Sequence, residues 1–413
     1  MGKISKMQKL LFIMLLLAIP ALPAFSQEND VITSIEIIGL KRTKPHIARY
    51  HLEKFIGLER SAFDENEIFA AVKSTGVLEP VSAEFVDTSD GLLMRVTVLE
   101  KWSIFPFPLF FAGSGEYTFG LFLFDANAFG LCDSMAVGGM YGSGGWSVIA
   151  MYNHTPNRKG VPGWNGFFMY SRQDEEDVDR DEKILREYSA DQLRFSFGLS
   201  YNFLDHLTGS AGLSFENILL NDKNIFFNSP QDDFMLIGFS SRISLHDSSW
   251  DGYFLSGRSA SLEYSYHLAI YGSSFHQIEF RGSYDQMLIP GFRMIIKSGG
   301  VWKSAADELF EDGPQSASVS ILPRNYSAMH YAGLSIGLEK YLYRFKWGTL
   351  SVHGSWQGVY SYSETLGSQF DHGPAAGILL YLSRLALPAI GAGAAYNIVS
   401  GLFQFTFSVG MSF

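Results

Sequence analysis

From residue 103 to its end the chain alternates apolar and polar side chains in one short run after another, and this period of two narrows the possible folds more than any other feature. The clearest run closes the sequence. Phe403, Phe405, Phe407, Val409, Met411 and Phe413 share one parity, and Gln404, Thr406, Ser408, Gly410 and Ser412 share the other. A strand points successive side chains to opposite faces, so each such run has one apolar and one polar face. The pattern recurs with Ala332, Leu334, Ile336 and Leu338, with Ala260, Leu262, Tyr264 and Tyr266, and with Phe195, Phe197, Leu199 and Tyr201. No run of about 18 apolar residues follows the N-terminal segment, so no membrane-spanning helix is expected. Lipid offers no partners to main-chain N–H and C=O groups, so a sheet facing lipid must close on itself.

About 16 runs can be marked off, an even number as bacterial barrels require, the first near Ile104 and the last near Leu402. One begins near Ala190 and another near Gly373. The expected fold is an all-β transmembrane barrel of about 16 antiparallel strands over residues 103–413, preceded by a small α+β domain over residues 31–101. Composition agrees: aromatics make up 15% of the chain and charged residues only 18%, with 41 glycines. That mix suits short strands with aromatic girdles.

Residues 1–26 read as a cleaved signal peptide. Lys3, Lys6 and Lys9 precede an apolar stretch at 10–19, and Ala24-Phe25-Ser26 supplies small residues for cleavage. The destination would be the outer membrane of a diderm bacterium, with the small domain in the periplasm. Loss of this segment moves the formal charge from −11 to −14, since it carries three lysines and no acid. So acidic a chain repels phosphate backbones, and no nucleic-acid partner is expected. The single cysteine, Cys132, makes neither an internal disulfide nor a metal cluster, and no H-E-x-x-H spacing or phosphate loop is present. No cofactor is expected.

Residues 31–39 alternate around Ile35 and Ile37. A helical stretch follows at 43–55. A second begins at Asp64, where Asp64 and Glu67 form a capping pattern, Phe63 sits in the staple position, and Gly76 can end the helix. Val81, Ala83 and Phe85 alternate next, and Asp90-Gly91 turns into Met94, Val96 and Val98. In this frame Ile35-Glu36-Ile37-Ile38-Gly39-Leu40-Lys41-Arg42-Thr43 and Thr75-Gly76-Val77-Leu78 resemble stretches of a POTRA domain. The resemblance implies a domain that binds unfolded polypeptide by adding it as a strand to a sheet edge, the alternative being a passive spacer of that fold.

One POTRA domain followed by such a barrel resembles the BamA/TamA superfamily of outer-membrane assembly and translocation proteins, over nearly all of the mature chain. Residues 247–258 are similar to the periplasmic turn before that family's central strands. Ile321-Leu322-Pro323-Arg324-Asn325-Tyr326 stands where the family has an arginine-glycine-aromatic motif on a long loop that folds back into the lumen. The resemblance implies that Arg324 and Tyr326 dock the loop, with Glu339 as the carboxylate that an enclosed guanidinium requires. Asn325 replaces the motif glycine, and in Gly354-Ser355-Trp356-Gln357-Gly358 the family's second acid is absent, with Trp356 in its place. The terminal Phe413 is similar to the family's C-terminal sorting signal.

Pro106 and Pro108 fall within the first run. Proline cannot donate to a ladder and belongs on an edge. Against the last strand, which carries Phe405 and Phe407, two prolines weaken the seam where the family is thought to open; the other reading of residues 102–112 is a linker outside the sheet. Three further features are set aside on sequence grounds. Gly333-Leu334-Ser335-Ile336-Gly337 has the G-x-S-x-G spacing but lies inside an alternating run with no helix after it. The acids of residues 174–182 read as a solvated extracellular loop. His154, His246 and His372 read as surface residues near turns.

The expected function is non-enzymatic: insertion or translocation of unfolded outer-membrane or exported polypeptides, in outer-membrane lipid, with periplasmic or lipoprotein accessory partners. The alternatives are a passive porin, adhesin or antigen that kept the architecture, and a barrel lipase, for which Ser335 is the one visible candidate.

Overall fold

The computed structural model describes residues 30–113, 116–154, 161–204, 206–222, 233–251, 254–304, 310–311, 313–314, 319–323, 325–346, 348–382 and 390–409. The signal-peptide segment, Arg324 and Phe413 lie outside them. The chain divides into two compact units: Ala48–Leu99 with the residues before Lys41, and Lys41–Ile47 with Glu100–Phe413.

The first unit is built on β1 (Ile32–Ile38), β2 (Leu78–Thr88) and β3 (Gly91–Glu100), with α1 (Pro45–Tyr50) and α2 (Glu65–Lys73) between the first two strands. The sheet order is β1-β3-β2, and β1 runs parallel to β3 with Ile35 opposite Met94 and Ile37 opposite Val96. A parallel pair needs a crossover, which the helical stretch supplies. The capping box forms: Asp64 accepts from the Glu67 N–H at 2.9 Å and the Glu67 side chain from the Asp64 N–H at 3.4 Å. Ile68, Ala71 and Val72 of α2 are buried, as are Ile32, Leu52, Met94 and Val96. Gly39, at φ 102°, ends β1 where a Cβ would lie 2.0 Å from the Val98 carbonyl oxygen. Only glycine tolerates both constraints. In this order β2 has one strand neighbour and an open outer edge.

The second unit is a sheet of 16 strands in which sequence neighbours are ladder neighbours throughout. The first eight are β4 (Ile104–Gly113), β5 (Glu116–Ala128), β6 (Asp133–Gly142), β7 (Gly145–His154), β8 (Gly163–Val178), β9 (Ile184–Leu204), β10 (Leu207–Asp222) and β11 (Phe234–Asp251). The rest are β12 (Phe254–Tyr271), β13 (Phe275–Ile289), β14 (Phe292–Lys303), β15 (His330–Phe345), β16 (Gly348–Ser363), β17 (Gly367–Leu382), β18 (Ile390–Tyr396) and β19 (Phe403–Val409). The strands are antiparallel, as a barrel wall requires, and within residues 102–112 the stretch from Ile104 on is part of it and not a linker. Among the described residues no ladder joins β4 to β19.

The parity read from sequence is the parity observed. Leu334, Ile336 and Leu338 are 45%, 49% and 47% exposed on the outer face, while Ser335 and Glu339 between and beyond them are buried. Two strands begin six residues earlier than the alternation suggested, at Ile184 and Gly367. In both, polar or small residues mask the period, but the ladder continues: Asp177 pairs with Arg186, and Ser361 with Gln369.

At the end where the chain enters the sheet, residues 41–47 are fastened to the first strands. The Glu100 carboxylate accepts from the N–H groups of Lys41, Arg42 and Thr43 at 2.6, 3.0 and 3.1 Å. Arg42 pairs with Asp125 at 2.8 Å, and the Asn127 amide donates to Thr43 Oγ1 at 2.8 Å and to Glu100 at 3.0 Å. Burial raises the Glu100 carboxyl, but the three main-chain donors and Thr43 outweigh it and hold the group below the usual carboxylate range.

Candidate functional site

Three features of the barrel carry the predicted site residues: the edge of β4, a cluster at the entry end of β14 and β15, and the loop between those strands at the far end.

Pro106 lies opposite Leu123 and Pro108 opposite Leu121, in an unbroken register from Ile104 to Gly113. In an antiparallel pair alternate residues turn both main-chain polar groups toward the partner or away from it. Proline has no N–H to give, so the even-numbered set keeps the ladder whole only by facing away from β5. Of the donors this set would offer at the free edge, those at Pro106 and Pro108 are missing. Both prolines are exposed on the outer face. On the last strand Phe405 pairs with Ala394 and Phe407 with Ala392. Phe405 is 84% exposed, and β18 beneath this row is made almost entirely of glycine and alanine.

Glu339 is fully enclosed, and its partner comes from the wall. Arg293 faces it directly across β14 and β15, donating from Nε at 2.8 Å and from Nη2 at 2.6 Å to one carboxylate oxygen. The other oxygen accepts from the Tyr381 hydroxyl at 2.8 Å and from Ser351. The guanidinium lies over the Phe254 ring at 5.0 Å, and Phe254 meets Tyr381 edge-on. Asp285 adds a second carboxylate, 3.4 Å from Nη1. A buried arginine thus has its counter-charge and stacking partner in place. Arg293 follows the Gly291 turn by two residues and has inward parity, a signal that the sequence reading passed over.

The loop folds inward at the far end. Ile321 and Leu322 are buried with Val301, Val319, Tyr326, Tyr331, Val359, Ala375 and Ala395. The Tyr326 hydroxyl bonds Ser361 at 2.7 Å and donates to Gln369 at 3.3 Å; burial pushes its pKa up to about 12. The Ser320 N–H donates to Gln357 at 2.7 Å. Trp356, read as standing in for an acid, faces outward at 52% exposure, and Gln357 is the inward residue that meets the loop. Tyr326 and Glu339 are not brought together: they belong to separate bonded groups at opposite ends of β15.

The acidic stretch is a solvated turn only in part, for Asp174, Asp181 and Glu182 are exposed. Residues up to Val178 continue β8, and only 179–183 turn. Arg186, 3% exposed, is the reason: it pairs with Asp177 and Glu311, both at 2.7 Å, and donates to Ser327 at 2.8 Å. The Val178 N–H donates to the Asn325 carbonyl at 3.0 Å. Past this point the hairpin tip meets distant strands: Arg180 lies 3.9 Å from Asp371 of β17, and Gln404 of β19 donates to Glu182 at 3.1 Å. The hairpin is a strap from the β8–β9 wall to the last strand. His154 likewise departs from its surface assignment, being half-buried with Nδ1 2.9 Å from the enclosed Asp133. His246 is exposed, and His372 is half-buried beside Trp356 and Phe370. Ser335 sits in the middle of β15, not on a strand-to-helix turn.

Under the loop lies a polar cavity of about 510 Å³, lined by Gln192, Arg194, Ser240, Arg242, Glu263 and Glu279 among others.

No protein-family model matches the sequence, and no curated protein matches it. Solved structures do. CdiB from Escherichia coli aligns over 92% of this chain and 75% of its own, with a TM-score of 0.63 at 14% identity. CdiB from Acinetobacter baumannii aligns over 92% and 74%, with a TM-score of 0.62 at 10% identity. BamA from Haemophilus ducreyi lacking POTRA domains 1–3 aligns over 91% and 83%, with a TM-score of 0.55 at 15% identity. At such identities the likeness is one of fold: the chain has the barrel fold of these BamA and CdiB structures.

Proposed function

We propose that this outer-membrane barrel assists the insertion or passage of unfolded polypeptides, by offering strand edges to them. The observation that carries the reading is the edge of β4, kept in register with β5 yet lacking donors at Pro106 and Pro108. A seam short of two N–H groups has fewer main-chain hydrogen bonds to break on opening. An incoming strand then pairs with the remaining main-chain groups without needing sequence-specific pockets. The open edge of β2 in the periplasmic domain is the earlier contact, and accessory proteins or lipoproteins would meet the same domain. No chemical step is required, so the protein works as a scaffold and not as an enzyme.

The test is a covalent lock of first to last strand, Phe110→Cys with Phe407→Cys in a Cys132→Ser background. The oxidised protein should lose client insertion, and reduction should restore it. Equal insertion in both states ends the proposal.

A passive barrel is the second reading. The Arg293–Glu339 pair favours it, since the carboxylate that the resemblance assigned to the loop is engaged within the wall. Single-channel recording separates the two: a large steady pore fits the passive barrel, small flickering currents the folded-in loop.

A further inference from the structure

Part of the inner face of the first four barrel strands is apolar, at the height where the wall around β11 and β12 is polar. Two ladder rows cross it. One runs Phe105, Phe124, Ala136, Met151 and the other Phe107, Phe122, Gly138, Ile149. These residues alternate with the exposed outer-face set Pro106, Pro108, Leu121, Leu123, Val137 and Val148. The Phe105 and Phe124 rings meet at 5.1 Å, tilted by 42°, and Gly138 leaves the space that the Phe122 ring fills, for a Cβ there would lie 2.6 Å from its Cδ1. Met151 remains 44% exposed. On the opposite wall the inward positions are Ser240, Arg242 and Glu263, which line the polar cavity.

A barrel strand separates lipid from water and ordinarily keeps one polar face. β4 has none: no polar side chain occurs from Ile104 to Ala112. Phe105 is buried, while Phe107, Phe122 and Phe124 stay partly exposed on this face, and apolar rings left in contact with water are unfavourable. Among the described residues no strand lies beyond the edge of β4, so its apolar outer positions Pro106 and Pro108 and its apolar inner positions Phe105 and Phe107 meet at that edge.

We propose that acyl chains of membrane lipid reach round β4 and cover this inner face, so that the first strands stand in lipid on both sides. The inference rests on reading the chain as a membrane barrel with a weak seam, and it makes the seam an entry for lipid before any polypeptide arrives.

Spin labels at single cysteines test it in phosphatidylcholine vesicles without client, in the Cys132→Ser background. Phe122→Cys reports the inner face, Leu121→Cys the outer belt and Ser240→Cys the polar wall, with folding checked by heat-modifiable gel mobility. Phe107→Cys replaces Phe122→Cys if the latter does not fold. The ratio of collisions with oxygen to collisions with a water-soluble nickel chelate should match at 122 and 121 and be roughly tenfold higher there than at 240, because apolar and aqueous surroundings partition the two probes oppositely. A water-like ratio at 122 overturns the proposal. Low collision with both probes at 122 overturns it as well, since another part of the protein then covers the face. A water-like ratio at 121 removes the membrane-barrel reading itself. Loss of client insertion plays no part in these readings, so the seam lock and the label experiment fail independently.

Discussion

Arg293 and Glu339 oppose each other across β14 and β15 with 2% and 0% of their side chains exposed, at 2.6 Å. Removing one member strands the other. Glu339→Ala should cost about 3–5 kcal/mol, while Arg293→Met with Glu339→Leu should recover most of it, because hydrophobic replacement of a whole buried pair is often neutral. Urea unfolding followed by gel mobility in detergent reads both. A single variant as stable as the parent would mean that the pair contributes nothing.

The strap makes a graded prediction. Arg186 is enclosed between carboxylates of the strap and the loop, whereas Arg180 is 32% exposed and 3.9 Å from its partner. Arg186→Ala should therefore loosen the hairpin and raise tryptic cleavage after Lys183 by about tenfold or more. Arg180→Ala should change stability by no more than about 1 kcal/mol. Equal cleavage of the two variants would show that the strap is not held from Arg186.

Tyr326→Phe keeps the ring among Ile321, Leu322 and Val359 and deletes the bond to Ser361. The loss should be about 1 kcal/mol, against about 3–5 kcal/mol for Tyr326→Ala. Protease protection of residues 319–329 measures each, and a Phe variant as damaged as the Ala variant would assign the docking to the hydroxyl alone.

Glu100 gives a pH dependence. Its folded carboxyl lies below the usual range, so its contribution is present above the unfolded value and disappears as pH falls through the folded one. The protection factors of residues 41–47, each exchange rate being taken relative to its intrinsic rate at that pH, should hold above the ordinary glutamate value and fall as the pH drops below about 4.3. Glu100→Gln should exchange faster at the upper pH and lose that acid-dependent step, and a variant with the parent's full pH profile would place the titration elsewhere.

The wall was legible because period-two alternation reports directly on which face meets water, and the observed exposure of Leu334, Ile336 and Leu338 is that signal in space. The capping box of Asp64 and Glu67 was legible for a similar reason: both partners lie within one turn. What escaped was pairing between distant strands. Arg293 finds Glu339 over 46 positions and Arg186 finds Ser327 over 141, and no local pattern records either. Among the acids of residues 174–182 charge alone suggested solvation, which holds for Asp174, Asp181 and Glu182 but not for Asp177, paired with the buried Arg186. Trp356 misled through parity: the residue that faces the loop is its neighbour Gln357.

A wall in which each strand bonds to the next in sequence can grow by adding hairpins, each a local event on the microsecond scale. The joining of β4 to β19 is different in kind, for it must bring together residues some three hundred positions apart, and loop-closure entropy opposes it throughout. Any joining of β4 to β19 would on this ground be the last and slowest ladder to form. By the same reasoning a sheet with its fifteen sequential ladders made and that pairing outstanding is expected to be long-lived.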